Sequence, residues 1–338
     1  MKDGMFVLDN VVHMYDNSER NVVGAEGAQV AGNLDGFGKL FSNAQHRHNA
    51  NFLGNVLDVE EAGRILFEES DTDMAMAQTV PLFGWWRDGF SPAHRQYALK
   101  EAYPDRVLFC GGVDPLYQGI DGALYELERQ ITEWGACSMK FYQAHRRNTS
   151  WRADDPRLAY PLYEKCLELG VNNVQFHKGV PFGNERMEDM KPNDLQDAAT
   201  EYPEMTFIIH HLGDPYIDET ISLAARNQNI WIALSAWINI YPIMPREALH
   251  RLGKALFYVG PDRLLWGSEA FIWPDVQSYI DVFAEVEMPD DLQEGYGYPA
   301  FTKEMKRKIF GENYAKLLGI DIDAKVKELH GPDAAVSR

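Results

Sequence analysis

Apolar runs about as long as a β-strand recur along this chain, and most are followed by a segment with the spacing of an amphipathic helix. Alternation of this kind is typical of α/β proteins. The eight predicted strands are 5–13, 74–83, 106–115, 136–142, 172–177, 206–213, 230–236 and 263–269. Eight such units in 338 residues predict an α/β fold of the (β/α)8 TIM-barrel type. A doubly wound sheet is the alternative, but no strand is followed by the GxGxxG or GxxxxGK[ST] pattern of a phosphate-binding turn.

Two long segments interrupt the regular alternation. Residues 17–70 follow the first strand, and residues 275–305 follow the eighth. In a barrel both would emerge beside the mouth, where lids and specificity loops usually lie. Because no repeat or interdomain linker is visible, we expect residues 1–338 to form one barrel domain with these two segments as insertions.

Composition narrows the class of protein further. The net charge of -19 argues against a nucleic-acid partner, because phosphate contacts need clustered Lys and Arg. No run of eighteen apolar residues and no signal-peptide pattern is present, which predicts a cytoplasmic protein without a membrane partner. Cys110, Cys137 and Cys166 lie in apolar segments without CxxC spacing, as expected of reduced core residues. We expect a small-molecule substrate and a homo-oligomer, most simply a dimer.

Strand alternation indicates which side chains face the barrel interior. In 136–142, Ser138, Lys140 and Tyr142 share one side. The polar side must face inward, since the other packs on helices, so Lys140 points toward the site. The same alternation groups His177 with Gln175.

The same alternation of side chains applies to three other strands. His13 shares a side with Asp9 and Val11, and Glu269 follows the eighth strand with the alternation of Leu265 and Gly267. Within "FIIHHLGDP" (207–215), alternation sends one of His210 and His211 inward and the other outward.

Ionisable residues thus gather at the C-terminal ends of strands one, four, five, six and eight, where TIM-barrel enzymes keep their chemistry. In chain order they are His13, Lys140, His177, His211 and Glu269. Imidazole and carboxylate are the usual ligands of a metal ion that makes water nucleophilic near neutral pH. Each residue alone is more often a hydrogen-bonded core residue, so the prediction of a metal site depends on their joint placement.

Five motifs, in order along the chain, carry a family resemblance. They are "VLDNVVHMYD", "VQFHKG", "HHLGDP", "LLWGSEAFIWP" and "IFGENYAKLLGI". Together they resemble the amidohydrolase-related branch, amidohydrolase family 2, of the metal-dependent amidohydrolase superfamily. The resemblance selects His211 over His210 as the metal-facing histidine. It implies one or two divalent ions, zinc first and manganese or iron as alternatives, with His13, His177, His211, Glu269 and Lys140 as ligands.

Three departures from the family pattern bear on the site. Val11 stands where the family has the first ligand of its HxH motif, and Glu269 stands where it has Asp. The "HRH" at 46–48 could fold back to replace the missing ligand.

Lys140 is either carbamylated and bridges two ions, as in some superfamily members, or is an unmodified lysine that pairs with Asp214, Glu269 or a substrate carboxylate.

The resemblance implies a hydrolase in which Glu269 takes a proton from water and passes it to the leaving group, with His211 and Lys140 as further catalytic residues. The bond cut would be an amide, ester, thioester or C–C bond. Aromatic residues after strand ends, in 84–90 and at Trp151, Trp237 and Trp273, predict a pocket for a ring. The alternatives are a nonoxidative decarboxylase of an aromatic acid, whose HxGE motif would need Glu at Asp214, and an inactive barrel that only binds.

Overall fold

Eight strands pair in parallel and in chain order in the computed structural model, which describes residues 1–41, 56–146, 148–181, 183–273 and 275–336, with only the backbone of 37–41. The strands are β1 (Leu8–Val12), β2 (Met74–Gln78), β3 (Val107–Gly112), β4 (Ala136–Tyr142), β5 (Asn173–His177), β6 (Thr206–Ile209), β7 (Ile230–Ala233) and β8 (Leu264–Leu265). Each lies within a predicted strand. The prediction of a TIM barrel is confirmed.

The barrel is closed between its first and last strands by a few contacts, because β8 is only two residues long. The Asn10 N–H donates to the Trp266 carbonyl at 3.2 Å, and the His13 N–H donates to the Ala270 carbonyl at 2.6 Å. Val12 and Ala270 form a parallel bridge. The two segments that bear His13 and Glu269 are therefore held side by side.

Helices cover the outside of the barrel and connect its strands. They are α1 (Gly24–Phe41), α2 (Val59–Phe67), α3 (Ala93–Ala102), α4 (Pro115–Gln118), α5 (Ile120–Thr132), α6 (Tyr160–Glu168), α7 (Leu195–Glu201), α8 (Ile217–Arg226), α9 (Trp237–Ile240), α10 (Pro245–Tyr258), α11 (Val276–Glu285), α12 (Asp290–Tyr296), α13 (Lys303–Arg307), α14 (Asn313–Leu317) and α15 (Ile322–His330). None of the helices in the described ranges is long and apolar enough to cross a membrane.

The strand alternation separates an outer core from an inner one. Met139 and Phe141 of β4 belong to the outer core between strands and helices, where Phe141 packs edge-on against Trp151. Leu8 and Ile208 belong to an inner cluster that also includes Tyr314 of α14. Gln175, a polar residue of the inner face, donates to the Tyr314 hydroxyl at 2.9 Å, so this cluster directly contacts the polar interior of the barrel. All three cysteines are free, as predicted.

The two insertions occupy different positions. Val30 and Leu34 of α1, in segment 17–70, pack with Tyr15 and Trp86. The "HRH" candidate at 46–48 lies outside the described residues. Segment 275–305 differs from the expected lid.

Its first helix, α11, is a buried outer-layer helix. Phe283 packs edge-on against Phe301 and Phe310 at 5.5 and 4.6 Å between ring centroids. This is the position of the helix that follows the last strand of a barrel. In the sequence, the helical spacing of apolar residues in α11 indicates this position in the outer layer.

Candidate metal centre and active site

An extra residue in β1 turns His13 into the barrel. The pairing of β1 with β2 shifts between Asp9 and Val12, so the two-residue alternation breaks there. The buried Asp9 holds this irregularity, because its Oδ1 accepts hydrogen bonds from the N–H groups of Val11 and Ser268, both at 3.0 Å. His13 therefore does not share a side with Asp9 and Val11, which corrects the expectation from simple alternation.

Glu269 lies between His13 and His211. The His13 Nδ1–H donates to the Gln78 carbonyl at 2.9 Å, which leaves the lone pair on Nε2 free. That nitrogen is 3.6 Å from Glu269 Oε1, and His211 Nδ1 is 3.6 Å from Glu269 Oε2. Glu269 has a φ of 61°, a left-handed conformation that is uncommon outside glycine, so its direction does not follow from strand alternation.

A tight left-handed turn after β6 brings His211 to the site. The strand ends at Ile209, and His211, Leu212 and Gly213 have φ values of 58°, 55° and 69°. A Cβ at Gly213 would lie 2.0 Å from Thr220 Oγ1, so the turn requires glycine there.

Both histidines of the pair consequently lie inside the barrel, which corrects the expectation that one faces outward. His210 follows the inward alternation of Ile208, and its Nε2 donates to Gln175 Oε1 at 2.6 Å. His211 would face outward by the same rule, but the turn redirects it, and it is 4% exposed. His210 is thus a hydrogen-bonded neighbour below the site, whereas His211 contacts the other candidate ligands.

A continuous chain of hydrogen bonds fixes the remaining imidazoles. His177 Nε2 donates to the Val180 carbonyl at 3.2 Å, which leaves Nδ1 to accept from His211 Nε2 at 3.0 Å. Ser235 Oγ lies 3.1 Å from His211 Nδ1 and completes the chain. Because His211 Nε2 carries the proton that it donates to His177, its Nδ1 accepts a hydrogen bond from the Ser235 hydroxyl.

Lys140 is inside the barrel, as strand alternation predicts. It is fully buried, pairs in register with Gln175, and lies 5.5 Å from the centroid of the Tyr142 ring. Within the described ranges its Nζ has no hydrogen-bond partner. The suggested pairing with Asp214 is not formed, because Asp214 instead contacts Arg251 at 3.0 Å.

Burial sets the protonation of these groups. It raises the pKa of Glu269 to about 7, against the opposing charge of Lys140. It lowers the pKa of Lys140 to about 7, against the opposing charge of Glu269. Burial and the Lys140 charge also lower the pKa of His13 to about 3, and burial lowers the pKa of His177 and His211 well below the usual range. At neutral pH the imidazoles are neutral, the form in which histidine binds a metal.

A pocket with mostly apolar walls opens onto three of the candidate ligands, His177, His211 and Glu269. Its other lining residues are Tyr15, Leu34, Val80, Phe90, Tyr142, Val180, Pro181, Ala236, Ile272 and Trp273. Carbon-rich walls with a few convergent polar groups are typical of a small-molecule site. Of the aromatic candidates, Phe90 and Trp273 line this pocket, and Trp151 lies in the outer core instead.

Two pairs of donor atoms lie close enough together to share a divalent ion. Distances of 3.0 Å between His211 Nε2 and His177 Nδ1, and of 3.6 Å between His13 Nε2 and Glu269 Oε1, are compatible with pairs of ligands that share one ion. Glu269 Oε2 is buried without a hydrogen-bond partner in the described part of the chain. The residues therefore fit such an ion in donor type and in pairwise spacing.

The contacts nevertheless form a line rather than a closed shell. Within residues 1–36, 56–146, 148–181, 183–273 and 275–336, no group of three or more His, Cys, Asp or Glu converges on one point as a metal site does. One reason is that His211 directs one ring nitrogen to His177 and the other to Glu269, whereas an imidazole can give only one nitrogen to a given ion. Val11, at the departing position, packs against Gly267 and supplies no donor.

Three residues that contact the candidate site were not among the sequence-predicted candidates. Asp9 joins the two strands that carry His13 and Glu269, Ser235 contacts His211, and Gln175 supports His210. The available signal was a polar residue within or directly after an apolar strand. That signal does not identify the partner of the residue.

This fold and this site define a TIM barrel with neutral imidazoles and one carboxylate at the C-terminal ends of its strands. Residues 54–320 match the family described as Amidohydrolase, which covers most of the chain. The chain therefore belongs to the amidohydrolase family, and the resemblance stated from the motifs is confirmed. Family membership supports an enzyme and leaves the type of reaction open.

One sequence relative matches only locally. Protein fluG of Emericella nidulans is 28% identical over 103 residues, which are 30% of this chain and 12% of that relative. The matched stretch thus spans a small part of the length of that relative.

Solved structures share the fold at low identity. A TIM-barrel protein from Bordetella bronchiseptica is 17% identical, with a TM-score of 0.66 and coverage of 93% of this chain and 99% of that one. A probable 2-pyrone-4,6-dicarboxylic acid hydrolase from Acinetobacter baumannii is 15% identical, with a TM-score of 0.56 and coverage of 94% and 100%. A dihydroxybenzoic acid decarboxylase from Polaromonas, solved with manganese and 2-nitroresorcinol, is 13% identical, with a TM-score of 0.56 and coverage of 96% and 99%. The barrel is thus shared by hydrolases and decarboxylases.

Proposed function

We propose that this protein is a metal-dependent hydrolase that cleaves a bond at the carbonyl group of a small, ring-containing compound. The observation that carries the proposal is the buried Glu269 carboxylate, which lies 3.6 Å from His13 Nε2 and 3.6 Å from His211 Nδ1. Burial raises its pKa to about 7. A carboxyl group that gains and loses a proton near neutrality is suited to general acid–base catalysis.

We assign roles to His13 and to the three candidate ligands that line the pocket. His13, His177, His211 and Glu269 would hold a divalent ion, which supplies Lewis-acid polarisation of the carbonyl and makes water more acidic. Three imidazoles and a carboxylate suit zinc, and manganese is the ion in the Polaromonas decarboxylase.

Glu269 then moves the proton. Its carboxylate takes the proton of the attacking water and returns it to the leaving group. The Lys140 ammonium lowers the pKa of Glu269 and so favours the ionised form that accepts the proton. The hydrogen bond from His13 Nδ1 to Gln78 keeps the imidazole oriented toward Glu269. Phe90 and Trp273, which line the pocket, exclude bulk water from the ring of the substrate.

Decarboxylation of an aromatic acid is the second candidate, and the carbon-rich pocket favours it. A carboxylate that enters such a pocket loses hydration, which favours its departure as CO₂. Against it, Asp214, the position of the glutamate in the decarboxylase-like motif, is paired with Arg251 and does not line this pocket.

The experiment that separates the two uses metal-loaded protein in ¹⁸O-labelled water with aromatic and alicyclic esters, thioesters, amides and acids. Hydrolysis places one label in the product acid. Release of CO₂ as the only turnover, with solvent deuterium on the substrate carbon in a parallel D₂O reaction, would replace the hydrolase proposal by the second candidate. Metal-loaded protein that binds these compounds but turns over none of them would favour a binding protein.

A further inference from the structure

A second pocket adjoins the first and shares four of its lining residues. His211, Val180, Pro181 and Ala236 border both cavities. On its far side the second pocket is lined by residues that the first lacks, among them Trp237, Asp214 and Arg251. His211 therefore lies at the border between an aromatic compartment and a more polar one.

The polar compartment contains an ion pair with unused hydrogen-bonding atoms. Arg251 on α10 donates through Nη1 to Asp214 Oδ1 at 3.0 Å and through Nε to Glu247 Oε1 at 2.8 Å. Its side chain is 18% exposed, and that of Asp214 is 31% exposed. In the described ranges, no hydrogen bond involves Nη2 of Arg251 or Oδ2 of Asp214. The pair thus offers one N–H donor edge and one carboxylate acceptor to a ligand.

The charge balance decides which ligand fits. Two carboxylates, Asp214 and Glu247, surround the single guanidinium of Arg251, so the local charge is negative when all three are ionised. An anionic group would meet this excess charge. A neutral group with an acceptor next to a donor, such as a carboxamide, can instead accept from Arg251 and donate to Asp214.

We infer that the substrate carries a neutral, carboxamide-like arm that binds at the Arg251–Asp214 pair, on the side of the reacting carbonyl opposite to the ring. The order of the parts (ring, carbonyl, polar arm) rests on the proposed function, whereas binding of the arm does not. Arg251 is then a specificity-determining residue, because a site built to hydrogen-bond a group discriminates against analogues that lack it. Hydrogen bonds to charged groups in a partly exposed pocket give a preference of about tenfold or more.

Isothermal titration calorimetry tests this with three probes that share the benzamide part: N-benzoylglycinamide, N-isobutylbenzamide and N-benzoylglycine. The wild type should bind the glycinamide at least about tenfold more tightly than the isobutyl compound, and more tightly than the acid. Arg251→Met should lose most of this preference. Arg246→Met is the matched control, because Arg246 also lies on α10 and pairs with a carboxylate, Asp291, but does not line the pocket.

Equal binding of the three probes by the wild type, or an unchanged preference in Arg251→Met, would overturn the inference. If Arg251→Met does not fold, as judged by circular dichroism, Asp214→Asn replaces it. Removing that negative charge should raise the affinity for N-benzoylglycine several-fold, and no change would overturn the inference. A clear preference without ¹⁸O incorporation would leave the arm site standing and reject hydrolysis, whereas incorporation without preference would do the reverse.

Discussion

Replacing Asp9 with alanine should strongly destabilise the protein, because this side chain joins the two strands that close the barrel. Its Oδ1 accepts from the N–H groups of Val11 and Ser268, both at 3.0 Å, and the residue is fully buried. Alanine would leave both donors without a partner. At about 1–3 kcal/mol for each buried unpaired group, the free energy of unfolding should fall by about 2–6 kcal/mol. Asparagine keeps an oxygen at the Oδ1 position and should cost much less.

Titration of Asp9 should also make the free energy of unfolding depend on pH. Burial raises the pKa of Asp9 from 3.8 to about 6. Between these values the folded protein holds a proton that the unfolded chain has lost, so this group makes the wild type less stable as the pH rises. A shift of this size corresponds to about 3 kcal/mol. Because asparagine does not titrate, Asp9→Asn should gain stability relative to the wild type between pH 4 and pH 7.

Urea unfolding followed by tryptophan fluorescence at pH 4, 5, 6 and 7 measures both effects. Asp218→Asn is the control, because Asp218 is an exposed carboxylate in a surface ion pair with Lys254. The reasoning is refuted if Asp9→Ala unfolds at the same urea concentration as Asp9→Asn. It is equally refuted if the difference between Asp9→Asn and the wild type stays constant from pH 4 to pH 7.

Three further predictions concern the site and its support. In metal-loaded protein, Glu269→Gln should lower kcat by ~10²-fold or more with little change in KM, because an amide cannot carry the proton; steady-state kinetics that show an unchanged kcat would exclude the role. His177→Ala should lose most of the bound divalent ion by elemental analysis while His210→Ala retains it, and equal metal in both variants would contradict the assignment. Lys178→Met leaves the buried carboxylate of Asp194 without the ammonium group that lies 2.7 Å away, and should lower the free energy of unfolding by about 3–5 kcal/mol. Adding Asp194→Leu should recover much of this loss. Thermal unfolding of both variants measures the two changes.

The regular part of this molecule could be predicted from the sequence. Hydrophobic runs located all eight strands, and alternation alone placed Lys140 and Gln175 inside the barrel, because β4 and β5 keep an even register throughout their pairing. A two-residue period is a reliable guide wherever a strand stays regular.

The same rule failed where the chemistry is concentrated. His13 follows an extra residue in β1, while His211 and Glu269 have φ values of 58° and 61°. Long-range contacts, such as those from Asp9 to both strands, hold these irregular conformations, and a local pattern does not contain them. His211 was selected over His210 only by family resemblance. The second pocket went unpredicted because Arg251 and Asp214 are 37 residues apart in the chain.

The hydrogen bond between Gln175 and Tyr314 has a consequence for synthesis. Gln175 Nε2 donates to the Tyr314 hydroxyl at 2.9 Å, and the same Gln175 accepts from His210 through Oε1. A nascent chain that has released all eight strands from the ribosome still lacks this partner until residue 314 emerges. Until then, of the partners in the described ranges, Gln175 Nε2 can donate only to Ser138 Oγ, at 3.2 Å, and to the weak acceptor Cys110 Sγ, at 3.7 Å. The set of hydrogen bonds that holds Gln175 beneath His210 is therefore complete only after all eight strands have been made.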